Sequence, residues 1–104
     1  MPTARIIRSR SADSDLSRIW EYTATEASPE VADFVIARLF EALSRAAEHP
    51  LMYPQTDYRG RPRRINVFDY AMFYEPLPEG DGIRLRRVIH GRRNLAPLLR
   101  RPER

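Results

Sequence analysis

The sequence predicts an α+β fold in the order β-α-α-β-β-β, with an antiparallel sheet covered by a helix hairpin and a short C-terminal helix. Three observations carry this. Apolar residues recur at helical spacing through the first half, broken only at Ala27-Ser28-Pro29-Glu30. The period falls to two after Pro62, and proline- and glycine-rich stretches separate the regimes.

Residues 4–9, A-R-I-I-R-S, read as a short strand, because Ile6 and Ile7 place β-branched bulk on opposite faces. From Ser11, read as the N-cap, Leu16, Ile19, Trp20 and Thr23 follow at i, i+3, i+4 and i+7, with Asp13 and Asp15 near the positive end of the helix dipole. Trp20 is expected in the core. Ser28 then caps a second helix, Pro29 suits its first position, and Ala32, Val35, Ile36, Leu39, Leu43, Ala46 and Ala47 keep one stripe until Pro50 makes His49 a natural end. So short a connection between helices implies an antiparallel hairpin.

Residues 50–62 hold three prolines and a glycine without a sustained period, and read as an irregular surface connection. Ile65 and Val67 then alternate with Arg64 and Asn66, Phe68-Asp69 can turn, and an aromatic-rich strand runs from Tyr70 to Tyr74, where Tyr70, Phe73 and Tyr74 are expected to pack the sheet. After a Pro/Gly loop comes I-R-L-R-R-V-I-H, in which strict alternation sets Arg87 among Ile83, Leu85 and Ile89. Either a bulge shifts the register there, or a guanidinium emerges beside the core at the strand end. Leu95, Leu98 and Leu99 close the pattern as a short helix.

The chain's 104 residues, 42% hydrophobic and 31% charged, make one domain, residues 1–104. Without cysteine it can hold neither a disulfide nor a thiolate site, and neither of its two histidines sits in a cluster with metal-ligand spacing. No Gly-rich phosphate loop and no G-x-S-x-G elbow occur, so no metal or other cofactor is expected. The first residues lack the apolar stretch of a signal peptide, and no run approaches the roughly 18 apolar residues of a membrane span. A soluble, cytoplasmic protein is the expectation.

Charge is segregated along the chain, and every basic residue is arginine. Residues 12–58 hold three arginines against nine carboxylates, and residues 59–104 hold twelve against five. That asymmetry fits an anionic partner for the C-terminal half, or a solvated arginine-rich surface. Within it, His90-Gly91-Arg92-Arg93 follows the last strand. His90 reads either as an imidazole satisfying strand-end backbone, beside a Gly91 that adopts a conformation other residues resist, or as a contact for a partner. Arg92 and Arg93, at the start of a helix, oppose its dipole and read either as ligands for an external anion or carboxylate or as a solvated basic turn. Arg63, Arg64 and Arg87 complete the candidate cationic site. Val31, Phe34 and Phe40 widen the second-helix stripe beyond what the core needs, leaving apolar surface for a partner segment.

Ordered stretches carry a family resemblance: D-L-S-R-I-W-E-Y from Asp15, S-P-E-V-A from Ser28, E-H-P at Glu48, Y-A-M-F-Y from Tyr70, and R-V-I-H-G-R-R-N from Arg87. Together they span nearly the whole chain, which resembles the RelE/ParE superfamily of toxins from type II toxin-antitoxin modules, and its ParE-like branch in particular. The resemblance implies a toxin neutralised in a hetero-oligomer by a cognate antitoxin whose N-terminal part binds DNA. ParE-like members resemble DNA gyrase inhibitors, whereas RelE-like members cut messenger RNA on the ribosome. The ribonuclease branch uses lysines on the central strands and a tyrosine in the C-terminal segment. This chain has no lysine and no tyrosine after Leu95. Arginine stays protonated and makes a poor base. The sequence therefore favours a toxin that acts by binding, with an endoribonuclease using His90 and Arg93 as the alternative.

Overall fold

The computed structural model describes residues 4–91. Strand β1 (Arg5–Arg8) leads into helices α1 (Arg10–Glu26) and α2 (Pro29–Glu48), followed by strands β2 (Arg63–Val67), β3 (Tyr70–Pro76) and β4 (Gly82–His90). The short C-terminal helix expected around Leu95, Leu98 and Leu99, like Arg92 and Arg93, lies outside the described residues.

Helix α1 begins two residues earlier than its sequence suggested. Ser9, not Ser11, is the N-cap: its hydroxyl accepts from the Ala12 N–H at 3.0 Å and donates to the Arg86 carbonyl at 2.8 Å, joining the helix start to β4. A hydroxyl that satisfies two elements outcompetes one that serves a single helix. The second cap is as expected, with Ser28 Oγ accepting from the Val31 N–H at 3.1 Å and Pro29 in the first turn.

The sheet order is β1-β4-β3-β2. Strands β2, β3 and β4 form an antiparallel meander, while β1 lies parallel to β4, so the sheet is mixed rather than wholly antiparallel. Gly82 permits that last pairing. Its φ is +154°, and a Cβ there would stand 2.0 Å from the Arg5 carbonyl oxygen, so no other residue fits without moving a strand.

The helix hairpin covers one face of the sheet. Leu16 and Ile19 of α1, Leu39, Leu43 and Ala46 of α2, and Ile65, Met72, Tyr74, Ile83, Leu85 and Val88 of the sheet share one buried cluster. Each large aliphatic side chain buried there contributes roughly 1.5–3 kcal/mol. On the opposite face Ala71, Phe73 and Ile89 form a smaller cluster. Tyr58, from the connection after α2, packs on it edge-to-face with Phe73 at a centroid distance of 5.8 Å. Trp20 does not join the core. It is 36% exposed, and its indole N–H donates to Asp33 Oδ1 at 2.8 Å, a partner that an interior position would have denied it.

Both alternatives at Arg87 hold. Phe73 opposes Arg87 and Tyr74 opposes Leu85, which leaves Arg86 as the extra residue of a bulge. The bulge resets the alternation, so Ile83 and Leu85 before it and Val88 after it reach the same core. Arg87 itself meets a carboxylate.

Candidate functional site

The carboxylate is Asp15. It sits at i−1 to Leu16 within the buried stripe of α1, where charge is costly unless paired. Only 7% exposed, Asp15 accepts from Arg87 Nε at 2.8 Å, from Arg87 Nη2 at 3.1 Å, and from the Val88 N–H at 2.9 Å. The hydrogen bonds to Asp15 raise the Arg87 pKa above its ordinary value, outweighing the opposing effect of burial. This fork ties α1 to the residue after the bulge and fixes where the end of β4 emerges.

Beyond it, a cleft of about 350 Å³ opens between α1 and the end of the sheet, lined by Arg18, Ile19, Tyr22, Tyr70, Val88 and His90 among others. Its walls set aromatic rings beside the Arg18 guanidinium and the Asp15 carboxylate. The Tyr70 and His90 rings meet edge-to-face at 5.4 Å. On the far side of Tyr70 lies a second hollow of about 290 Å³, bounded by Arg64, Asn66, Phe68, Asp69 and Gly91. The Gly91 N–H donates to the Asp69 carbonyl at 2.5 Å, and a Cβ on Gly91 would approach that oxygen to 3.0 Å. What crowds a side chain there is close approach and not a positive φ, which corrects the expectation for this position.

The predicted cations have separate surroundings. Arg63 donates from Nη1 to the carbonyls of Tyr53, at 2.6 Å, and Leu51, at 3.3 Å, and so straps the connection after α2 to the start of β2. Arg64 donates to Asn66 Oδ1 at 2.8 Å and lays its guanidinium 5.6 Å from the centre of the Phe73 ring. Arg64 and His90 therefore border two hollows that share Tyr70, while Arg63 straps a connection and Arg87 is forked to Asp15. Among the described residues no group of three or more His, Asp or Glu is placed to hold a metal ion.

The apolar candidates divide as well. Val31 and Phe34 are exposed, Phe34 at 54%, with the Arg38 guanidinium 5.3 Å from the Phe34 ring. Phe40 is half-buried against the core, under the Arg8 guanidinium at 5.7 Å. Sequence reasoning missed the third member of the exposed set. Phe68, 59% exposed in the β2–β3 turn, holds φ at +53° and sets its ring 6.3 Å from Phe34. A large side chain in the left-handed region is costly to keep and marks a position to examine for function. Asp15 was also missed, although its signal was present: a carboxylate interrupting one apolar face matches an arginine interrupting another.

A family model described as the ParE toxin of the type II toxin-antitoxin system, parDE, matches residues 6–95. Among solved structures, the chain is similar to one described as the chromosomal ParDE TA system from P. aeruginosa. The TM-score is 0.69 and the identity 15%, with 85% of this chain and 96% of that chain covered. No curated protein matches by sequence.

Proposed function

Because the chain belongs to the ParE toxin family of type II toxin-antitoxin systems, we propose that it is a toxin that acts by binding DNA gyrase and is neutralised by a cognate antitoxin with a DNA-binding N-terminal part. The observation that carries the binding reading is the fork at Asp15. A phosphate drawn to Arg87 would compete with a buried carboxylate that already takes two of its three guanidinium nitrogens and a backbone N–H. Displacing that carboxylate would leave buried groups short of partners, which is costly. A ribonuclease needs a proton carrier with cations gathered around one phosphate. His90 stands instead against Tyr70 at the mouth of an aromatic cleft, an arrangement suited to gripping a macromolecular surface.

Arg64, Arg92 and Arg93 contribute cationic contact and His90 polar contact to the target or the antitoxin, with Arg63 and Arg87 shaping the surface from beneath. Val31 and Phe34, joined by Phe68, supply apolar contact to the antitoxin, and the half-buried Phe40 adds to it near Arg8. The protein works in the cytoplasm, where its target resides. Purified protein should abolish supercoiling by gyrase at saturating concentration and leave translated messenger RNA intact. Unimpaired supercoiling, or transcripts cut on the ribosome in a pattern that His90→Ala removes, would replace this reading with the endoribonuclease one.

A further inference from the structure

Alternation gives the two faces of the sheet opposite characters. Ile65, Ile83 and Leu85 enter the core under the hairpin, so their neighbours Arg64 and Arg84 lie on the other face, with Phe73 and Ile89. The connection after α2 adds to that face. Its turn from Tyr58 to Arg61, closed by the Arg61 N–H donating to the Tyr58 carbonyl at 2.7 Å, packs through Tyr58 on Phe73. Arg86, the extra residue of the bulge, reaches the same turn and donates from Nη1 to the Arg59 carbonyl at 3.3 Å. Arg59, Arg61, Arg64, Arg84 and Arg86 therefore gather on one side of the molecule. The carboxylates beside them are Asp57 in the connection and Glu75, which lies 3.7 Å from Arg84. Arg59, Arg61, Arg64 and Arg86 have no ion-pair partner among the described residues. Arg61 also holds φ at +48°, a conformation costly to any side chain and one that marks a position to examine for function.

We propose that this face binds the phosphate backbone of duplex DNA, a contact of the toxin's own that goes beyond gyrase binding and does not depend on it. Guanidiniums held together with so few carboxylates repel one another, and a row of phosphates relieves that repulsion. Two further observations select the polyanion. Phe73 is fully buried and Tyr58 is half-buried against it, so among the described residues this face presents no ring as a platform for the stacking of unpaired bases. An acidic protein segment would call for apolar anchors at the centre of its contact, yet the exposed Phe34 and Phe68 rings meet each other beside α2. Guanidiniums without apolar company suit phosphate oxygens, which take charge-assisted hydrogen bonds and nothing more. The hairpin orients the duplex from the opposite side, because the exposed Glu21, Glu26, Glu30 and Glu48 repel it.

The test is fluorescence anisotropy of a short labelled DNA duplex titrated with the purified full chain, without gyrase. Binding is expected to weaken with added salt, with a log–log slope of roughly −3 to −4 for about four neutralised phosphates. No binding at low salt, or tighter binding to a single-stranded RNA of the same length, overturns the proposal. Arg59→Gln combined with Arg61→Gly removes two exposed cations and relieves the backbone at Arg61, so the fold is kept. That pair should weaken binding by roughly tenfold and make the slope shallower by about two. Arg84→Gln, which leaves the turn alone, should weaken it by roughly threefold. Arg38→Gln with Arg45→Gln takes the same charge from the hairpin and should leave the affinity within about twofold of the wild type. An equal loss from both pairs means that net charge alone attracts the DNA, and overturns the assignment to this face. Failure of any arm leaves the supercoiling reading standing, since gyrase takes no part.

Discussion

Tyr74 shows how one side chain can serve as packing and as a polar anchor. Fully buried in the main cluster, it donates its hydroxyl to the Pro50 carbonyl at 2.7 Å and so fastens the chain just past α2 to the middle of β3. Burial raises its phenol pKa above the usual 10.0, outweighing the lowering effect of the backbone hydrogen bond with Tyr53 and of Arg63. A raised folded-state value means that the native protein favours the neutral phenol. That contribution is complete below the unfolded pKa and is lost as pH climbs through the folded one. Urea midpoints measured from neutral pH to about 11 should fall for the wild type. Tyr74→Phe should begin about 1 kcal/mol lower, from the lost hydrogen bond, and decline less steeply. At this scale the sequence was informative about what is buried and less so about what is paired. It named Tyr74 as packing without its carbonyl partner, and it placed Trp20 inside because helical spacing cannot reveal an Asp33 waiting on the neighbouring helix.

Helix α1 and strand β4 are joined by the Asp15 fork, and the bond is worth most to the pair when both ends are present. Asp15→Ala leaves a guanidinium and the Val88 N–H short of a partner in a largely buried place, and should cost about 3–5 kcal/mol in urea unfolding. Adding Arg87→Met should recover much of that loss, because two apolar side chains need no partners. A single variant as stable as the wild type would show that the fork contributes little. The helices were legible from periodicity and caps, and the meander from alternation and turns. The lateral place of β1 was not, since a strand's own residues report which face is buried and not which strand lies beside it. The bulge was readable as one of two options, and only the meeting of Asp15 with Arg87 shows that both apply.

Across the whole molecule, carboxylates concentrate on the helix hairpin while arginines crowd the sheet and its edges, and exposed aromatic rings sit where α2 meets the β2–β3 turn. If Phe34 and Phe68 serve a partner, Phe68→Gly should separate stability from binding. Glycine accepts φ +53° readily, so the melting temperature should hold or rise by a few degrees, while affinity for the antitoxin falls. Unchanged affinity would assign Phe68 to the toxin's own fold. The charge division was visible in the sequence, yet its apparent focus at the last strand was not what folding produced: Arg63 and Arg87 turned out to be internal fastenings.

The register between Ile6 and Ile83 joins the first strand to the last one described, with both helices and two strands of chain in between. A polypeptide leaving the translation tunnel N-terminus first can wind its helical hairpin early, but that leading strand must wait for the glycine at 82 before it has anything to lie against. Closure of the sheet is thus deferred until β4 has been made, however early the helices wind.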